Sequence, residues 1–519
     1  MRKACSLLSG AAALAWFLIR VIPKPSRAAY PCQRAAFPLA SGFVVWVAGA
    51  LWLRNLHRRA ATWARRAPYA AAVAAAAMVA LLLWLPLGTP ADLTAQGRAA
   101  VEPFRPAEGP NAPMGEGKGI HPGRVVWVRD PGATRWNGAD GHWWDDANTD
   151  NAAVERMTAT VLQDLTGEKS DRQAWDALFR NFNRSHHSGD AGYRRGEKIA
   201  IKINANQDRA AEWGTGGRPL NGLPSPHVVC SLVAQLITAA GVPGEDITLY
   251  EVAGSRNIGQ PIYTRIKSDP RPGFSAVRFV VGQDYGLGGR AAPVPDDGNA
   301  VHFSKAGVGT AYLPKQVTEA KYMINIALLR PHGMAGVTLT AKNHFGSLYF
   351  PSESAWTPRP LHPLVMRTQP MGSYNALVDL MGHRHLGGKT VLYMLDGLYS
   401  AEHNEGNVMR FASFGDDWAS SLLASQDPVA LDSVGVDILR NEPKATQVRG
   451  NVDNYLHEAA LAGHPPSGTV YDPDGSGRHL ESLGVHEHWN NATDRKYARN
   501  LGKKEGIELI AVLRQRNPK

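Results

Sequence analysis

Three short stretches of this chain carry side chains whose types and spacing suit work on an anion. GVTLTAKNHFGSL ends a run of strand-forming residues with Lys342, Asn343 and His344 in succession. MINIALLRPHG, just before it, ends an apolar run with Arg330, Pro331 and His332. KIAIKINAN, read as a strand of period two, puts Lys202, Asn204 and Asn206 on one face and Ile199, Ile201, Ile203 and Ala205 on the other. Guanidinium and ammonium groups clamp carboxylates or phosphates, and an imidazole moves protons near neutral pH. Lys202, His332, Lys342 and His344 are therefore candidate catalytic residues, with Asn204, Asn206, Arg330 and Asn343 as candidate substrate-binding residues. Each has a plainer reading. Lys202 could pair with a carboxylate on a neighbouring strand such as Glu251, His332 could hydrogen-bond its own turn, and Lys342 and Arg330 could end in structural ion pairs.

Four further carboxylates and imidazoles belong with this set. Asp396, between the apolar run VLYML and Gly397, suits a general base or a metal ligand, and equally an Asx turn. Asp427, before Pro428, reads as a helix N-cap. His486 and His488 in GVHEHWNN lie two apart and share a face in extended chain, so they are candidate ligands for a divalent transition metal. Two imidazoles do not complete a site, and a third ligand such as His142, His464 or Asp396 has to come from elsewhere.

Strands must position these groups. Short β-branched apolar runs alternate with helical patterns: RVVWV, a helix near Asn151 to Thr166, KIAIKINAN, a helix near Ser225 to Ala240, then ITLYEV, RFVVG, KYMINIALL, KTVLYML and SSLLAS. Such alternation predicts an α/β fold with a largely parallel sheet, helices on both faces and long decorating loops at 207–224, 254–276, 283–310 and 346–374. Ligands of such sheets bind beyond the carboxyl ends of the strands, where Asn204 and Asn206 fall. If strand alternation continues from Thr338 through Thr340, Lys342 projects at the strand end, and its ammonium shares a cleft with that of Lys202. Two buried ammonium groups need an anion or a carboxylate such as Asp396 between them.

Taken in order, GEKIAIKINAN, MINIALLRPHGMAGVTLTAKNHFG, VLYMLDGLYSAEHNEG and LLASQDPVALDSVG resemble the family called domain of unknown function 362, over Gly196 to Gly435. The amino-terminal segment and the ending SLGVHEHWNNATDRKYARNLG are similar to a membrane-anchored subgroup without the ferredoxin-like cysteine module. The resemblance implies an α/β domain and supplies no reaction. Where the family pattern often has Lys before the histidine step, this chain has Arg330, which keeps the charge and removes any Schiff-base role there.

Charge and hydropathy divide the 519 residues. Residues 1–91 hold eleven Lys and Arg and no Asp or Glu, whereas the remainder holds 56 − 11 = 45 basic against 46 acidic residues. The formal charge of +10 therefore belongs to the amino-terminal segment and points to membrane lipid as a partner, with no nucleic acid. Apolar stretches near 4–22, 37–53 and 69–88 approach the ~20 residues of a spanning helix. The expected organisation is a membrane anchor of about three transmembrane helices over 1–91, a Pro/Gly-rich linker over 92–117 and an α/β domain over 118–519. The arginines between the second and third stretches predict a bacterial inner-membrane protein with a periplasmic main domain. Three scattered cysteines exclude a cysteine-ligated iron-sulfur cluster. No dinucleotide fingerprint, P-loop, nucleophile elbow or HExxH is present. An enzyme acting on a small anionic substrate by acid-base or metal-assisted chemistry, or a non-catalytic module for an anionic glycan, phosphate or lipid headgroup, remains.

Overall fold

The strands of the main sheet follow from runs of β-branched and aliphatic residues buried on both faces, the pattern of a parallel sheet covered by helices. A computed structural model describes residues 108–214 and 222–515, together with Ala15, Trp16 and Ile19. The chain divides into the units Met1–Glu102 and Pro103–Lys519, and nearly all described residues belong to the second. The three expected membrane spans lie almost wholly outside the described residues. Among the described residues no helix is long and apolar enough to cross a membrane.

Eight strands form the main sheet: β1 (Arg124–Arg129), β2 (Ile199–Ile203), β3 (Ile247–Glu251), β4 (Arg278–Val281), β5 (Tyr322–Leu328), β6 (Thr390–Gly397), β7 (Ser421–Ser425) and β8 (Glu508–Leu513). Their spatial order is β8-β1-β7-β6-β5-β2-β3-β4. All neighbours run parallel except at β7, which is antiparallel to both β1 and β6. From β2 the chain winds outward to β3 and β4, then returns to the other side of β2 as β5. The β2/β5 seam is thus the point where strand order reverses.

Two apolar layers sandwich the sheet. On one face Ile199, Ile201, Ile203, Leu249, Ile324 and Ile326 pack against α1 (Asn151–Thr166), α2 (Asp171–Ser185), α3 (Pro226–Ala234) and α4 (Gln260–Lys267). On the other, Ala200, Tyr250, Met323, Ala327 and Leu395 meet α5 (Ala376–Gly382), α6 (Pro428–Arg440), α7 (Asn454–Ala460) and a small antiparallel sheet of Pro295–His302, Thr310–Pro314, Tyr349–Phe350 and Ala355–Trp356. Helix starts are capped by their own side chains: Ser225 accepts from Val228 N ahead of Pro226, and Asp427 from Ala430 N ahead of Pro428. The N-cap reading of Asp427 is what the fold shows.

Three expectations need correcting. Segments 254–276 and 283–310 are not plain loops, since they hold α4 and the strand Pro295–His302. Order does not wait until residue 118: Met114–Gly115 pairs with Val485–His486, and the Glu108 carboxylate is already seated among three histidines. Finally, the strand through Gly336–Thr338 stops there, and Thr340–Asn343 is a helical turn. The cause is Asp432 of α6, whose carboxylate accepts from Thr340 N at 2.9 Å, Thr340 Oγ1 at 2.6 Å and Ala341 N at 3.1 Å. Amides satisfied from one point at the start of a turn favour helix over continued strand.

Candidate functional site

Beyond the carboxyl ends of β2, β3 and β5, at the reversal seam, lies a cavity of about 250 Å³. This is where an open α/β sheet of this topology places a ligand. Asn204 and Asn206 follow β2, Glu251 ends β3, and His332 lies just past β5 in the hairpin Arg330–His332/Gly336–Thr338; all four line it. Thr338, Lys342, Asn343, Phe345 and, from surrounding loops, Arg209, Arg256, His362 and Glu405 complete most of the wall.

Asn343 closes the seam below this cavity. Its amide Nδ2 donates to Ile326 O at 3.0 Å and Asn325 Oδ1 at 2.7 Å, and its Oδ1 accepts from Lys202 Nζ at 3.3 Å. Lys202, wholly buried, also donates to Ile203 O at 2.6 Å and to Glu251 Oε2 at 3.0 Å. Burial drives the Lys202 pKa down, and Glu251 opposes that fall. The second oxygen of Glu251 accepts from Ala253 N at 3.3 Å. Lys202 is therefore not a cleft group: it stands behind Glu251 and Asn343 as their counter-charge, the plainer of its two readings.

Lys342 is different. Its side chain is held by the Asp432-capped turn and is 6 % exposed, and its Nζ lies 3.7 Å from the centroid of the Phe345 ring. Among the described residues it has neither a hydrogen-bond acceptor nor a carboxylate partner. Burial, with the Arg330 charge second, pulls its pKa down to about 7. Arg330 donates to Gly222 O at 2.7 Å and Asn204 Oδ1 at 2.9 Å, and Arg256 to Asn206 Oδ1 at 2.8 Å, all neutral acceptors. Arg256 Nε and Thr338 Oγ1 are buried at this wall without a partner among the described residues. Only Arg209 is matched, by Glu405 at 2.9 Å. Among the described residues Lys342, Arg256 and nearby Arg330 thus make no ion-pair contact with a carboxylate, although Glu251 and Glu405 favour the charge of both guanidiniums from farther off.

His332 faces the same space. Its Nδ1 accepts from Met334 N at 3.1 Å and Ala335 N at 3.3 Å, so the neutral ring carries its proton on Nε2. Burial first, then the Lys342 and Arg330 charges, hold it well below its ordinary pKa. His332 thus braces its own turn through Nδ1, the plainer of its readings, and as a residue of the cavity lining has its Nε2–H left over.

His344 and Asp396 do not join this cavity. His344 is buried beneath the sheet face, where Asn325 Nδ2 donates to its Nε2 at 3.1 Å; its Nδ1 has no partner, and burial lowers its pKa to about 3. A helical turn rather than a strand carries Lys342 to the cavity and rotates His344 away. Asp396 makes the turn instead, accepting from Leu398 N at 3.2 Å and capping the approach to α3 through Ser225 N at 2.7 Å. Burial raises its pKa to about 6. Arg256, Phe345, His362 and Glu405 went unnoticed in the sequence; Arg256 alone had a signal, as a cation just after the carboxyl end of a strand.

His486 and His488 do converge, at a second place. Their Nε2 atoms lie 3.4 and 3.0 Å from Glu108 Oε1, and that of His457 lies 2.9 Å from the same oxygen. The third-ligand candidates His142, His464 and Asp396 are absent from this cluster, whose other members are His457, Glu108 and Asp453.

The chain was compared with known proteins. A family model described as domain of unknown function (DUF362) matches residues 283–437, a range that holds Arg330, His332, Lys342 and Asn343 but begins after Lys202 and Glu251. No curated protein matches. A solved structure, the lactate racemase apoprotein from Thermoanaerobacterium thermosaccharolyticum, is similar at 12 % identity with a TM-score of 0.22 over 49 % of this chain, which spans about half (51 %) of that one.

Proposed function

We propose, on the premise that residues 283–437 are a DUF362 region, that the cavity binds a small organic anion and that Lys342 exchanges a proton with it. What supports this reading is the Lys342 ammonium, buried in the cavity wall without acceptor or carboxylate and with its pKa drawn to about 7. A lysine so placed passes between acid and base at working pH. Arg256, Arg330 and Thr338 offer donors to a carboxylate or phosphate, and His332 Nε2–H offers one to an oxygen on which charge develops. Phe345 keeps water from the ammonium and gives it a ring face. Glu251 and Asn343, braced by Lys202, hold the floor rigid. Together they form an enzyme site for acid-base chemistry.

A second reading, binding without turnover, draws on His344 and Asp396 lying outside the cavity, which leaves a wall dominated by cations. The experiment separates the two. The full chain is incubated in D2O with a panel of small carboxylates and phosphate monoesters, with thermal shift read for binding and mass spectrometry for deuterium gained at carbon. Stabilisation with deuterium uptake, both lost in Lys342→Met, supports catalysis; stabilisation alone supports the binding module. No stabilisation by any anion removes both.

Location is part of the proposal. The apolar, carboxylate-free character of residues 1–91 supports an anchor at the bacterial inner membrane with the domain on the periplasmic side. Reporter activity fused after Lys519 tests it, and a cytoplasmic signal removes it.

A further inference from the structure

The histidine cluster at Glu108 stands apart from the anion cavity and contains a conflict of lone pairs. Ser433 Oγ lies 2.7 Å from Val429 O and 2.8 Å from His486 Nδ1; with its proton on the carbonyl, the hydroxyl accepts from the ring. In that arrangement His486 carries its proton on Nδ1 and presents a bare Nε2 toward Glu108. His488 Nδ1 faces Asp437 Oδ1 at 2.7 Å and must donate there, so its Nε2, 3.0 Å from Glu108 Oε1, is the atom left to carry either a proton toward that carboxylate or a metal ion. Both Nε2 atoms point at one oxygen of Glu108, at 3.4 and 3.0 Å, beside His457 Nε2 at 2.9 Å. His486, His488 and Asp453 are buried, and Glu108 and His457 are nearly so. Nitrogen lone pairs facing a carboxylate repel it unless a proton or a metal ion lies between them, and one ion would serve all three rings at once.

We propose that Glu108, His457, His486 and His488 bind one divalent transition-metal ion of the zinc class. Three imidazole nitrogens and a carboxylate oxygen are a donor set suited to zinc: Glu108, His457 and His486 already lie within reach of one ion, and His488 Nε2 lies 3.0 Å from the same Glu108 oxygen to supply the fourth ligand. Ser433 and Asp437, both on α6, orient two of the rings from behind, the outer support that ligating histidines need. Asp453 lies nearby, 3.9 Å from His488 Nε2, but both its oxygens accept from Arg440, so it acts as a flanking charge. With its shell closed, the ion is structural: it fastens the domain's first residues, through Glu108, to α7 and to the segment after Val485. No step at the anion cavity depends on it.

The test uses the full chain, tag removed. Metal content is measured by plasma mass spectrometry, and the EDTA-treated chain is titrated with Zn(II) and with Co(II). The expected result is about one ion per chain, a higher Tm on Zn(II) addition and the strong visible absorption of four-coordinate Co(II). Glu108→Gln, which keeps the side chain's size and polarity, and His457→Gln each weaken uptake by at least ~10-fold, while Ser433→Ala weakens it by ~10–100-fold. Lys342→Met leaves it unchanged. A wild-type chain that takes up neither ion at micromolar concentration, or equal uptake by Glu108→Gln and His457→Gln, overturns the proposal and leaves protons holding the cluster together.

Discussion

The floor and the wall of the anion cavity are each built around a buried lysine, and the two have opposite fates. In the floor, Lys202 spends its charge on Glu251, Ile203 O and Asn343. In the wall, Lys342 meets the face of Phe345 and, among the described residues, no hydrogen-bond acceptor. Residue type and burial are the same, so neither marks function. What separates a structural from a reactive lysine is whether the protein itself supplies the counter-charge, and that depends on the neighbouring strand and on the turn that aims the side chain.

The contrast can be broken at its strong end. Lys202→Met leaves the Glu251 carboxylate buried without its partner and should lower stability by ~3–5 kcal/mol in denaturant titration. Adding Glu251→Gln to that variant should restore part of the loss, as a coupled pair requires. Equal losses from the single and double variants would show that the pair is not the unit.

At the wall the sign reverses. Lys342→Met removes an ammonium that the fold does not satisfy, so stability should hold or rise by up to about 2 kcal/mol while response to anions disappears. Thermal unfolding with and without the anion panel reads both. A marked loss of stability would place Lys342 with Lys202 as a structural residue.

The third effect is one of pH. The folded pKa of Lys342, about 7, lies below its ordinary value of 10.5, so between these the unfolded chain binds more protons than the folded one. Stability of the ligand-free protein then gains a contribution as pH rises from about 7 to 10.5, the reverse of what a lysine in an ion pair gives. A bound anion favours the ammonium, so affinity should fall as pH rises through 7, by at most tenfold per unit, with proton uptake on binding seen by calorimetry in two buffers. Arg330, His332 and His362 flank the group. Since burial lowers the pKa of both histidines, they stay neutral over this range. Lys342→Met should abolish the slope.

The sequence exposed most of the sheet and part of the site. Seven of its strands are apolar runs long enough to read, because a strand buried on both faces has no other composition open to it. The direction of β7 was not legible, since a run buried on both faces, SLLAS, looks the same in either sense. β8 passed unnoticed at the sheet edge. Lys202, Asn204, Arg330, His332, Lys342 and Asn343 could be picked out as polar groups at strand ends. Which of them reach the cavity could not, because that was decided by Asp432, some ninety residues further along, which turns strand into helix at Thr340. Glu108 and His457 gave no signal: one lies in a Pro/Gly-rich stretch, the other is a lone histidine on a helix.

One feature of the sheet governs how the molecule can be made. β1 is the first strand of the main sheet along the chain, yet its two neighbours are β7 and β8, Ser421–Ser425 and Glu508–Leu513. During synthesis the run VVWV emerges early and has no partner until almost the entire chain has followed it. Contacts of such long sequence separation make folding slow, and an unpaired apolar strand invites pairing with another chain. Assembly of this domain is therefore a terminal event of translation, and a chain cut short before Glu508 leaves β1 with one bare edge.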